Sequence, residues 1–171
     1  MSNLRLIDDT TATSVASVSV TDIFSSDYDI YKILLLQKTS AGNSLNIRFI
    51  NSSGSIITAS NYDRALLQLR SSGTSSVENI SQNVGQMNMT FQGTEDFVTT
   101  FYIFNPFSTS SYTFALSQSA GYYGGAGIEN LNVKAIGVLK QTTSCSGIFF
   151  APSSGNFTDV SVKTYGLRVD S

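Results

Sequence analysis

The sequence predicts an all-β fold: a single antiparallel β-sandwich, jelly-roll-like, of about eight to ten strands. Three observations predict it. First, 28 Ser and 17 Thr make up about a quarter of the 171 residues, whereas charged residues are only 13%; Thr, Val, Ile, Tyr and Phe fit a pleated, half-buried surface, and Ser, Asn and Gly favour turns. Second, apolar and polar residues alternate with period two in several segments. Third, turn signals recur about every 8 to 12 residues, the spacing of an antiparallel sandwich.

The elements follow in order. Residues 28–37 (YDIYKILLLQ) place Tyr28, Ile30, Lys32, Leu34 and Leu36 on one face and Tyr31, Ile33 and Leu35 on the other. The run is apolar on both faces over 33–36, as a central strand is. Residues 40–43 (SAGN) are a turn signal, and Leu45, Ile47 and Phe49 alternate with polar neighbours, so 28–49 reads as a hairpin. After the turn at 51–54 comes a short strand at 56–58, and 62–70 (YDRALLQLR) is short and poorly capped for a helix, so it reads as a strand. The second half carries strands at 97–104 (FVTTFYIF) and 112–116, where Tyr112, Phe114 and Leu116 form one apolar face. Strands at 130–140, 148–150 and 160–169 complete the set. No repeat or linker divides the chain, so 1–20 is expected to be an N-terminal arm plus first strand and 21–171 the sandwich, with the aromatics in one core.

Composition excludes much chemistry. With no His and a single Cys, the chain lacks the usual general base near neutral pH, every Ser-His-Asp or Cys-His arrangement, a disulfide within the chain and the ligands of a structural zinc. No cofactor motif is present, and the chain is expected not to be an enzyme. Its net charge of −2, without a basic cluster, makes nucleic acid an unexpected ligand. No apolar run reaches the ~20 residues of a membrane helix. The opening carries Arg5, Asp8 and Asp9 in place of a basic and then apolar leader, so a soluble chain without a signal peptide or membrane partner is expected.

Several residues invite a functional reading and each has a plainer one. A glycosidase needs two flanking carboxylates; the pairs Asp8–Asp9, Asp27–Asp29 and Glu95–Asp96 are read instead as turn formers and as acids that keep a sheet edge unpaired. Asp27 and Asp29 with backbone carbonyls would suit calcium, but no EF-hand spacing exists and a solvated turn is preferred. Residues 121–127 (GYYGGAG) match neither a phosphate loop nor a dinucleotide fingerprint. Tyr122 and Tyr123 there are binding candidates, because a rigid amphipathic ring on a loop gives contact area at low entropy cost; packing back on the sheet is the equal alternative. Asn51, Asn79, Asn88 and Asn156 sit in glycosylation patterns, expected by chance in a Ser/Thr-rich chain. Cys145 is read as a small buried apolar residue.

Three stretches resemble a family of small structural proteins of marine bacteriophages, especially cyanophages. The opening MSNLRLI with 20–33 (VTDIFSSDYDIYKI) is similar to that family's start, and 147–167, through GIFF, SSGNF and VKTYGL, to its last hairpin; NYDRA at 61–65 matches more loosely. Together these cover about a third of the chain. The resemblance implies a β-sandwich in the virion, assembled in the host cytoplasm, that self-associates and docks on other virion proteins. A capsid decoration or knob protein on the major capsid protein comes first. A tail, fibre or baseplate component touching a host receptor or glycan comes second, and a polysaccharide-degrading enzyme last.

Overall fold

In the computed structural model of the chain, residues 4–71, 77–122 and 130–167 are described, and they contain twelve strands and no helix. In chain order the strands are β1 (Leu4–Val15), β2 (Val18–Val20), β3 (Ile30–Thr39), β4 (Asn43–Asn51), β5 (Tyr62–Arg70), β6 (Val77–Val84), β7 (Phe91–Gln92), β8 (Phe97–Phe104), β9 (Thr113–Tyr122), β10 (Asn130–Leu139), β11 (Cys145–Pro152) and β12 (Phe157–Leu167). All pairs are antiparallel, in an eight-stranded sheet ordered β1-β12-β3-β8-β9-β10-β5-β6 and a four-stranded sheet ordered β2-β11-β4-β7.

The jelly roll becomes visible when two hairpin pairs are set aside. Without β5, β6, β9 and β10, eight strands remain in two four-stranded sheets, β1-β12-β3-β8 and β2-β11-β4-β7. Successive strands alternate between the sheets except for β4 and β7, which share the small one, and the chain pairs first with last, second with next-to-last and inward: β1 with β12, β2 with β11, β3 with β8, β4 with β7. That is the double Greek key of a jelly roll. The strands set aside extend the large sheet beyond β8.

This topology corrects two local readings. Segments 28–37 and 45–49 do not form a hairpin: β3 pairs with β12 and β8, whereas β4 pairs with β11 and β7 in the other sheet. The family-like close at 147–167 is likewise split, β11 in the small sheet and β12 in the large. A short polar link allows either a hairpin or a step across the sandwich, and burial of Leu45, Ile47 and Phe49 against the large sheet decides for the step. The expected strand at 56–58 is a single bridge, Ile50 to Ile56. The count exceeds the expected range because β1, β2, β6 and β7 are polar or very short. The stretch expected as an arm plus first strand holds β1 and β2 from residue 4 onward, β1 being paired along its length with β12.

The core lies between the two sheets and includes Tyr62 and Leu66 of β5 and Leu131, Val133 and Leu139 of β10. Tyr31, Ile33 and Leu35 of β3 and Phe101 and Ile103 of β8 face Leu45, Ile47, Phe49, Ile148 and Phe150 of the small sheet. Phe24 meets Tyr31 edge-on at 4.8 Å between ring centroids, and Phe101 lies 5.8 Å from Phe150. Such tilted contacts add to the area term.

Candidate interaction surface

Beyond β8 the large sheet is covered in part by the segment bridged to β4, with Met87 opposite Ile47, and the side chains there answer that neighbour. The inner face of β9 presents Thr113, Ala115, Ser117 and Ser119, all buried, and its outer face Phe114, Leu116, Gln118 and Ala120. This inverts the expected order: the apolar face formed by Tyr112, Phe114 and Leu116 points to solvent, with Phe114 47% exposed. Those aromatics therefore do not belong to the core.

The physical reason lies in the chain that runs from β6 to β8. Met87 and Met89 on this segment are fully buried. The segment passes close under the extension: Ser117 Oγ donates to the Met89 carbonyl at 2.8 Å, and Thr90 and Thr99 hydroxyls meet at 2.9 Å. At Gly137 of β10 a β-carbon would come within 2.6 and 2.7 Å of the Met87 and Met89 sulfurs. Small residues and hydroxyls on the inner face of β9 fit an approach this close, so its large apolar side chains occupy the other face, whereas β10 keeps Leu131, Val133 and Leu139 buried inward.

Cross-strand registers assemble those side chains into rows. Tyr102 of β8 lies opposite Leu116, Leu116 opposite Ile136, Ile136 opposite Ala65 and Ala65 opposite Ile80, a continuous apolar row over five strands. On one side runs Phe104, Phe114 and Val138. On the other, Lys134 of β10, Leu67 of β5 and Glu78 of β6 stand side by side. Ile136 is 57% and Ile80 67% exposed. Two shallow open depressions of about 840 and 590 Å³ flank the row, and Leu116, Ile136 and Ile80 line both. At ~4.8 Å between strands and ~3.3 Å per residue, the strip spans roughly 20 by 25 Å. It lies at the upper end of the apolar patches that monomers expose.

The charges form two groups. Lys38 pairs with Glu95 at 3.1 Å, Lys140 with Asp63 at 2.9 Å, and Lys163 with Asp9 across β12 and β1. Lys38 and Lys163 are raised above the ordinary lysine range by the hydrogen bonds to their carboxylates, and Asp63 is lowered by its hydrogen bond from Lys140. Lys134 and Glu78, facing the strip, make no ion pair among the described residues.

The residues singled out from the sequence fall elsewhere. Tyr122 ends β9, half-buried, with its N–H donating to the Asp96 carbonyl at 3.4 Å. It stands six residues, roughly 20 Å, along the strand from Leu116. Tyr123 and most of the glycine-rich loop lie outside the described residues. The carboxylate pairs are dispersed: Asp27 and Asp29 precede β3 beside the Phe104 end of β8, while Glu95 and Asp96 precede its Phe97 end, roughly 25 Å away along the strand. Asp8 and Asp9 stand on the edge strand β1, where Asp8 accepts from the Thr10 hydroxyl. No group of three or more potential metal ligands occurs among the described residues. Asn88 donates to the Leu45 carbonyl and to Asn46, and Asn51 caps its own turn by accepting from the Ser53 and Ser55 amides. Cys145 is fully buried, and burial pushes its thiol up to about 12. The sequence signal for the strip was present in the Tyr112, Phe114, Leu116 alternation, which names a face and not its direction.

Compared with known proteins, the chain matches no family profile and no curated protein.

Proposed function

We propose that this chain is a bacteriophage virion structural protein, most simply a capsid decoration protein that works by self-association and by docking on the capsid. The observation that carries the reading is the outward-facing apolar row from Tyr102 to Ile80. A folded domain that leaves such a row uncovered loses the stabilisation of burying it, and recovers it by covering the row with another protein surface. The resemblance to small virion proteins at both ends of the chain gives the assembly its setting, and the jelly roll is an architecture of capsid domains. The dispersed carboxylates offer no constellation that competes with this reading.

A tail, fibre or baseplate component contacting a host glycan is the second reading. It is favoured by Phe107 and Tyr112, both exposed in the single turn that joins β8 to β9. Mass spectrometry of gradient-purified particles tests the shared premise. The chain is expected at many copies per particle, and its absence from washed particles would overturn both placements.

A further inference from the structure

We infer that the outer face of β10, β5 and β6 is a two-fold interface between two copies of this chain, with Lys134 of each copy paired to Glu78 of the other. The inference rests on the assembly reading above and names the partner of that same surface. The argument for a second copy comes from charge and shape. In an isologous contact the same patch meets itself, so a residue on one side of the axis meets the residue on the other side. Lys134 on β10 and Glu78 on β6 are opposite in sign, stand in one row on either side of Leu67 on β5, and have no ionic partner among the described residues. A two-fold axis lying in the interface along β5 brings Lys134 to the second copy's Glu78 twice over. The same rotation sets Ile136 against the second copy's Ile80 and Leu67 against Leu67.

The surface relief fits. Ile80, 67% exposed on the outermost strand, protrudes beside the two depressions flanking Ile136, so each copy offers a projection and a hollow.

A charge-exchange experiment tests it. Sedimentation velocity on the full chain is expected to find a dimer at micromolar concentrations. Lys134→Glu and Glu78→Lys, both at solvent-facing positions, are each expected to weaken it about tenfold or more, because like charges then meet at both symmetry-related contacts. Mixing the two variants in equal amounts should restore a heterodimer, and the double variant a homodimer; circular dichroism confirms that each variant is folded. A dimer that survives both single substitutions, or singles that the mixture fails to rescue, would overturn the inference and leave self-association through another face. A wild-type chain that is monomeric at roughly 0.1 mM yet binds capsids would also overturn it, assigning the strip to a different protein.

Discussion

A single buried hydroxyl ties together three successive stretches of the chain, the end of β4, the link after it and the start of β5. Tyr62, the first residue of β5, is fully buried; its Oη accepts from the Phe49 amide and donates to the Ile57 carbonyl, both at 3.1 Å, and its ring stacks on Phe49 at 6.5 Å. Burial keeps the phenol neutral by raising its pKa. Tyr62→Phe leaves an N–H and a C=O without that partner in an apolar setting, so it is expected to cost about 1–3 kcal/mol of unfolding free energy. Denaturant titration measures it, and an unchanged midpoint would show that the ring alone anchors β5. Tyr31 does similar work at the start of β3, exchanging two hydrogen bonds with Ser25. Period two identifies both tyrosines as strand residues, but not the partners of their hydroxyls, Phe49 in β4, Ile57 after it and Ser25 before β3, which only the folded chain brings near.

At the scale of elements, the strongly patterned strands were legible and the polar ones were not. β5 and β8 have the bounds the sequence predicts, and β10 differs by one residue at its end. β6 escaped, and β1 was expected only as a first strand without bounds in 1–20, because their composition is that of protected sheet edges, with Thr, Asp, Asn and Glu in place of an apolar face. β9 is the instructive case. Alternation separates its two faces correctly, yet which face turns inward depends on Met87 and Met89, about 28 residues away in sequence, and on the space beneath Gly137. A rule that sends the larger apolar face to the core fails where the core is a strand of backbone at close range. Hydrogen exchange should reflect the pairing: β3 and β8, bonded on both sides over the main core, exchange slowest, β9 and β10 follow, and the outer strands β1 and β6 exchange fastest. Exchange in β9 and β10 as fast as in β6 would contradict an extension that is anchored from beneath.

For the whole molecule, the absence of His from the sequence sets the response to pH. Asp63 is lowered in the fold, so its contribution is present above its unfolded pKa and is lost as pH falls through the lower folded value. Lys38 and Lys163 are raised, so theirs is present below the unfolded value and lost as pH rises through the higher folded one. No side chain of the ordinary neutral-pH type intervenes. The melting temperature is therefore expected to stay level between about pH 5 and 9 and to fall on either side; a transition near pH 6.5 would contradict this. A pH-level, two-sheet scaffold with one uncovered apolar face suits an assembly role. The sandwich and its single core were readable from composition and alternation, whereas that face was not, because a strip spanning five strands exists only once their registers are fixed.

The central claim, that this chain is a structural component of a virion, is tested most directly by cryo-electron microscopy of intact particles of the phage encoding it. The account predicts a twelve-stranded jelly-roll domain in two-fold pairs on the capsid lattice, with the β10-to-β6 faces apposed. Density for this domain at the tail would contradict the decoration role, and its absence from the particle would contradict the claim as a whole.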